Sequence, residues 1–512
     1  MSVTIQRPSE APRPPSAARR KGRWIDEWEP EDEAFWEIRG KRIARKNLAL
    51  SIFAEHLGFN VWVLWTIVVI NLANAGFTLS LSEQLLLIAL PNLIGAALRI
   101  PYTFAVPRFG GRAWTTVSVS LLLIPALLLA VVVPSGWLAG QSHGTQILVL
   151  ALCAATAGLG GGNFSSSMSN ISFFYPERHK GVALGLNAAG GNIGVAVAQL
   201  LIPLVIVIGV PAAAVKLPVH EVNLAYAGLI WMPFIVLAAI LAWTRMDSLS
   251  DAKADKSSYV RALKHSQTWV VSLLYIGTFG SFIGYAFALP LVIKNTFPEF
   301  LASHPFIATY LAGLGFVGAL IGSVARPLGG WLADRLGGAR VTLAVFLGEA
   351  LFTVAAIMGV RDHSFDLFFG SFMAIFLLAG MGNGSTYRMI PSIFAALGRK
   401  ETDDKGLDPR RAALEFKRQA AAVIGIAGAV GAFGGFLIQL AFRQASLPVS
   451  AAVKAAAPAD RLAVAQSMAD WSTAALYVFL GAYMMFAAIT WFFYLRTSFA
   501  TDKIPSLAYA SV

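Results

Sequence analysis

Two arginines lie deep inside apolar runs: Arg99 in ALRIPYTFAVPRFGGR and Arg326 in ARPLGGWLADRLGGAR. Each precedes its Gly-Gly pair by about eleven residues, or roughly 16 Å of helix. That is too deep for the side chain to snorkel to water. A guanidinium cannot shed its proton, so within hydrocarbon it must face a partner or a polar cavity. Glu55 and Glu349 are the clear carboxylates in apolar runs, and pairing with one of them is the structural alternative. Two unbalanced arginines facing one cavity call for an anion. Their planar forks suit a planar oxyanion.

Further polar, aromatic and glycine positions surround them. Gly181, Gly185, Gly190, Gly191 and Gly194 crowd one apolar run, and Gly425, Gly428, Gly431, Gly434 and Gly435 crowd another. Glycine allows close helix packing, and it also brings backbone near a small ligand. Asn163, Asn383 and Asn192 interrupt apolar runs and need partners there. Either another helix or a ligand would serve. Tyr275 and Phe279 are spaced i, i+4 and share a helix face, as core or as walls around an anion, and Phe164 is similar. Glu55 and His56 are either helix contacts or protonatable groups for proton coupling. Arg388, nearer a helix end, is expected to snorkel or gate. Among the seven histidines there is no HExxH, and GLGGGN lacks the lysine of a phosphate loop. Neither a metal site nor a cofactor is expected, and no catalytic set is visible.

The elements that must position these residues are membrane helices. The chain has 512 residues, 56% hydrophobic and only 13% charged. Soluble domains carry about a quarter charged residues. Apolar runs of about 20 residues, enough to span a bilayer core, centre near positions 60, 93, 124, 157, 195, 233, 280, 320, 350, 380, 430 and 484. The net charge of +12 sits in short loops, which argues against nucleic-acid binding. Basic residues cluster before span 1 and in the 2–3, 4–5, 6–7, 8–9 and 10–11 loops. The positive-inside rule then puts both termini in the cytoplasm. The 11–12 loop, with Arg443, Lys454 and Arg461, is the weakest point of that assignment. The lone Cys153 excludes an intramolecular disulfide.

Internal repetition divides the chain. Arg99, Arg108 and Gly110-Gly111 recur 227 residues later as Arg326, Arg335 and Gly337-Gly338. Gly185, Gly191, Gly194, Gln199 and Leu200 recur 240 residues later as Gly425, Gly431, Gly434, Gln439 and Leu440. Parallel repeats of six helices place a solute site between them near the midplane. The expected organisation is a disordered cytoplasmic tail (1–35), an N-terminal bundle (36–244), an inter-bundle loop (245–267), a C-terminal bundle (268–497) and a second tail (498–512). Within this, the basic amphipathic stretch Phe35 to Asn47 is expected at the membrane surface.

The loops RFGGR and ADRLGGAR resemble the cytoplasmic loop motif of the major facilitator superfamily. With GGNFSSSMSNISFFYP, GVALGLNAAGGNIG, LLYIGTFGSFIGY and GMGNGSTYRMIPSIF, the chain resembles NarK-type nitrate/nitrite porters over nearly its whole length. The resemblance implies an all-α, twelve-helix carrier of a bacterial-type inner membrane, working as a monomer and not an enzyme. It places the substrate arginines on Arg99 and Arg326, the substrate asparagine on Asn192 and the site tyrosine on Tyr275. The aromatic clamp falls on Phe164 and Phe279, and the signature segments on the glycines of spans 5 and 11. Glu55-His56 departs from members with an apolar first span and leaves the coupling open. Nitrate/nitrite exchange is the leading expectation. Nitrate–proton symport through Glu55 or His56 is the alternative. A facilitator for another small anion, or a membrane sensor that binds nitrate without moving it, comes after these.

Overall fold

The computed structural model describes residues 19–20, 23–211, 221–250, 252, 256–406, 408–497, 506–508 and 512. Among them are twelve helices long and apolar enough to cross a membrane: α1 (Glu33–Asn71), α2 (Leu81–Phe109), α3 (Gly111–Val131), α4 (His143–Phe174), α5 (Glu177–Ile206), α6 (Ala225–Arg245), α7 (Ser266–Thr296), α8 (Ala312–Leu336), α9 (Gly338–Arg361), α10 (Phe365–Asp404), α11 (Pro409–Ala455) and α12 (Ala469–Leu495). Every expected span centre falls within its helix. Helices are forced here because lipid satisfies no backbone group, so each segment must bond internally. The apolar windows of α1 and α7 are almost wholly enclosed, whereas those of α3, α6 and α12 are two-thirds exposed. The first pair forms the centre, and the second set presents Leu, Ile, Val and Trp side chains to the bilayer.

The halves meet where α2 runs along α11, α5 along α8 and α1 against α7. The repeat is visible in the backbone. Gly110 ends α2 at φ +84°, ψ 148°, and Gly337 ends α8 at φ +90°, ψ 135°. Side chains rarely adopt that region, which explains the glycine. The amide of Arg112 donates to Ser248 Oγ (3.2 Å), and that of Ala339, 227 residues on, donates to the carbonyl of Val512 (3.1 Å). Both α3 and α9 therefore have a first-turn N–H capped by a segment distant in sequence.

Three expectations change. The first concerns the tail. Residues 1–18 and 21–22 lie outside the described set, but residues 23–35 do not form a disordered tail. A strand at Arg19–Arg20 pairs antiparallel with Trp24–Ile25, which pairs parallel with Ser248–Leu249. Trp24 packs over Gly110, Ile25 is buried, and Arg23 (3.1 Å) and Lys46 both pair with the buried Asp247. Burial of WIDEW apolar groups and a doubly paired carboxylate hold the segment down. Second, Phe35 to Asn47 is continuous with α1 through a π-helical turn at Trp36–Gly40, and Trp36, Ile43, Ala44 and Asn47 are buried. Third, α10 and α11 run 40 and 47 residues, well past a ~30 Å core. Arg399, Lys400, Arg410 and Arg411 therefore stand on helix extensions, and Arg443 and Lys454 stand on α11 rather than in a loop.

Candidate functional site

Arg99 of α2 is wholly buried and Arg326 of α8 nearly so. Among the described residues neither has a carboxylate within ion-pair distance. The structural alternative of pairing with Glu55 or Glu349 is therefore not realised. Arg99 donates from Nε to the carbonyl of Gly161 (3.2 Å) and from Nη1 to that of Gly428 (2.7 Å). The second bond crosses from α2 to α11. Arg326 donates from Nη2 to the Tyr275 hydroxyl (3.3 Å). Arg99 Nη2 and Arg326 Nη1 are buried without a partner.

Aromatic faces enclose both cations. Phe164 of α4 lies 4.6 Å from the Arg99 guanidinium and 5.7 Å from that of Arg326, ring centroid to Cζ. The two Cζ atoms are thus within about 10 Å of each other, where like charges repel by roughly 2 kcal/mol at an effective dielectric near 20. Phe279 lies 4.8 Å from Arg99 and stacks on Phe164 with centroids 6.0 Å apart. Tyr275 stacks on Phe279 at an interplanar angle of 9°. The local cause is a π-helical turn at Ile276–Gly280, directly after Tyr275. Such turns insert a residue and re-aim side chains. Gly280 and Gly434 leave room for α7 and α11 to cross: a Cβ on Gly280 would sit 2.9 Å from the Gly434 Cα.

Two site residues escaped the sequence reading. Trp62 faces Arg99 at 5.5 Å and anchors its indole N–H on the carbonyl of Pro91 (2.7 Å). Tyr387 faces Arg326 at 5.3 Å and contacts Tyr275. The sequence hint was adjacency: Tyr387 stands beside Arg388 in GNGSTYR, but Arg388 itself points away to an ion pair with Asp334.

The glycines divide into two groups. Added Cβ atoms would strike Ile52 at Gly190, Glu55 at Gly191, the His56 carbonyl at Gly194, Tyr275 at Gly431 and Ile276 at Gly434, all at 2.4–2.9 Å. These five permit close packing. At Gly428 the nearest atoms are Arg99 Nη1 (3.8 Å) and Phe164 (3.9 Å). At Gly425 the nearest is Thr103 across the interface (3.4 Å), and at Gly185 nothing lies within 4 Å. Gly428 is the one that opens onto the arginines.

Asn192 is buried with both amide atoms unpartnered, as are Asn60, Asn163 and Asn383. No hydrogen bond joins Asn192 to an arginine. Glu55 belongs to a separate polar cluster between α1, α4 and α5. Its Oε2 accepts from Ser167 Oγ and from Asn187 Nδ2 (2.6 Å), and its Oε1 is unpartnered beside Gly191. With its proton on Nδ1, His56 donates to the Gly190 carbonyl (3.0 Å).

Cross-half contacts join the two halves toward both ends of the helices. At the end bearing the basic loops, Lys417 of α11 pairs with Glu177 of α5 (3.1 Å). At the other end, Lys294 donates to the Ile70 carbonyl and the Ser82 amide donates to Ser450 Oγ (3.1 Å). Gln199 of α5 also donates across the halves to the Ala286 carbonyl of α7 (2.6 Å).

The sequence profile of the Major Facilitator Superfamily matches residues 48–438. Nitrate/nitrite transporter NarU of Escherichia coli (strain K12) is 37% identical over 488 residues, covering 93% of this chain and 97% of that protein. NarU of Salmonella typhimurium is 40% identical over 430 residues, covering 82% and 89%. The probable nitrate/nitrite antiporter NarK2 of Thermus thermophilus is 35% identical over 433 residues, covering 81% and 88%. Among solved structures, an inward-facing bacterial homologue of the human lysosomal transporter Spinster superposes with TM-score 0.58 at 16% identity, covering 87% of this chain and 95% of that one. A D-xylose–proton symporter also reaches 0.58, at 14% identity, covering 88% and 97%. At these identities the structural likeness concerns the fold alone.

Proposed function

The chain belongs to the Major Facilitator Superfamily, in its NarK-type nitrate/nitrite porter family, and from that premise we propose that it moves nitrate and nitrite across the bacterial inner membrane by exchange, the anion being held between Arg99 and Arg326. The observation that carries the binding assignment is the pair of repeat-related guanidinium groups. They are buried, have no carboxylate, and each retains an unpartnered Nη. Nitrate is planar, carries one negative charge and has three acceptor oxygens. It can accept from Arg99 Nη2 and Arg326 Nη1 together, and charge-assisted bonds of this kind are the strong ones. Phe164 and Phe279 then cover faces that water would otherwise reach. Tyr275 holds the Arg326 fork in place. Asn192, whose amide atoms have no protein partner, supplies further hydrogen bonds once the anion is present.

Alternating access follows from charge. Closing the halves around two bare cations works against their repulsion, and a bound anion removes that cost. Only the loaded carrier crosses readily, so a nitrate leaving on one side is replaced by a nitrite from the other. The Arg99–Gly428 bond ties the two halves at the level of the anion. Its remaking during opening couples occupancy to movement.

Nitrate–proton symport is favoured by one observation, the unpartnered Glu55 Oε1 against the glycine-rich α5. Exchange is favoured by the other oxygen, which Ser167 and Asn187 hold in a polar cluster apart from both arginines. Nitrate uptake into proteoliposomes, loaded with nitrite or with no anion, with and without an inward proton gradient, tests the proposal. Uptake that needs internal nitrite and ignores the gradient is the expected result. Gradient-driven uptake into anion-free vesicles would overturn exchange. Competition by small carboxylates as strong as that by nitrite would overturn the nitrate/nitrite assignment.

A further inference from the structure

We propose that the cytoplasmic end of the N-terminal half carries a binding site for the head-group phosphate of an anionic phospholipid, built by α1, α6 and the segment that precedes α1. A cavity of about 400 Å³ there is lined by Arg23, Arg42, Ile43, Lys46 and Arg245. A second groove, lined by Ile38, Arg39, Arg42 and Ile43, adjoins it through Arg42 and Ile43. Four cations thus converge on one cavity from three places in the sequence. Among the described residues, the carboxylate of Asp247 lies buried beneath Arg23, Lys46 and Asn47, so it faces inward while Arg42 and Arg245 face out. Arg42 and Arg245 are exposed and have no ion-pair partner among the described residues.

The surroundings select a lipid over a soluble phosphate. Arg245 is the last residue of α6, whose outer face exposes Leu237, Ile240 and Trp243 to the bilayer. Trp243 stands half-exposed beneath the Arg112 guanidinium (4.1 Å), the usual station of a tryptophan at the head-group level. Ile38 is 74% exposed among the arginines of the second groove, a position suited to acyl chain rather than to water. Basic pockets between helices on the cytoplasmic side bind anionic head groups, and the inner leaflet supplies them. The site also joins the strand Trp24–Ile25 to the segment after α6, so an occupied site would fasten the segment that covers Gly110.

The assignment rests on the membrane orientation and is independent of the anion carried. Its test is native mass spectrometry of the whole protein, purified in detergent and titrated with phosphatidylglycerol or phosphatidylcholine. One phosphatidylglycerol per chain should be retained in preference to phosphatidylcholine. The pair Arg42→Gln/Arg245→Gln should weaken its retention about 30-fold, at the strength each basic residue has near an anionic surface. Arg42→Lys/Arg245→Lys should restore it, with unchanged thermal unfolding showing that the fold is kept. Equal retention by wild type and the glutamine pair would overturn the site. Displacement of the lipid by millimolar inorganic phosphate would overturn the lipid as its ligand. Nitrate uptake by the glutamine pair in phosphatidylcholine vesicles separates this outcome from failure of the transport reading.

Discussion

Arg99 and Arg326 occupy the same place in the two halves, yet they are held differently. Arg99 spends two of its donors on backbone carbonyls, one of them across the interface at Gly428, and sits among Trp62, Phe164 and Phe279. Arg326 spends one donor on a hydroxyl of its own half and leans on Tyr387 and Phe164. A repeat thus delivers two like charges to one site, and the neighbours then divide the labour. In the proposed reading Arg99 serves structure and anion together, whereas Arg326 is the more available to the anion. The same division separates the two intramembrane carboxylates: Glu55 is held by Ser167 and Asn187, while both oxygens of Glu349 lack a partner.

The largest effect should come from Arg→Lys at either position. Lysine keeps the charge and loses the fork, and nitrate uptake by proteoliposomes should fall roughly 100-fold, the loss expected for two charge-assisted hydrogen bonds. The contrast lies in stability. Arg99→Lys also strands two buried carbonyls and should cost about 1–3 kcal/mol in thermal unfolding, whereas Arg326→Lys should cost less than about 1 kcal/mol. Equal losses would break the proposed division.

The glycines sharpen it further. Gly431→Ala drives a Cβ to 2.4 Å from the Tyr275 ring and should destabilise by about 1–3 kcal/mol, lowering uptake with it. Gly428→Ala has space and should leave the unfolding temperature unchanged while altering nitrate affinity. A stability loss at Gly428 would mean that it packs rather than lines the site. A smaller effect is expected from Tyr275→Phe, which removes only the 3.3 Å bond steadying Arg326. About a fivefold rise in KM for nitrate, with uptake at saturation preserved, would fit a net hydrogen bond near 1 kcal/mol. The smallest should be Glu55→Gln. Exchange should persist within about threefold, since in that reading Glu55 touches neither arginine and serves only the Ser167–Asn187 cluster. Loss of a proton-driven component on this substitution would transfer Glu55 from scaffold to coupling.

Much of the architecture was legible along the chain. Twelve helices, the six-plus-six division and the paired arginines follow from run length, repeat offsets and the cost of charge in hydrocarbon, all of which can be read along the chain without knowing which helices meet. The i, i+4 spacing placed Tyr275 and Phe279 on one face, although the π-helical turn that stacks them carried no signal. The ordered segment before α1 was misread because its nearest sequence is rich in proline and arginine, while its partners, Ser248, Leu249 and Asp247, lie more than 200 residues away. Trp62 and Tyr387 were missed for a related reason: in spans rich in apolar and small residues, nothing local marks which aromatic turns toward a cation.

The sequence by itself determined that this is a twelve-span carrier with two equivalent cations and two glycine-rich helices, because lipid leaves the backbone one solution and makes a buried charge conspicuous. Only the tertiary structure decided what each of those residues does. Whether a glycine admits a neighbouring helix or faces a guanidinium, and whether an arginine bonds across the interface or within its half, depends on which helix faces it. That is settled by packing between segments hundreds of residues apart, where identical motifs meet different neighbours.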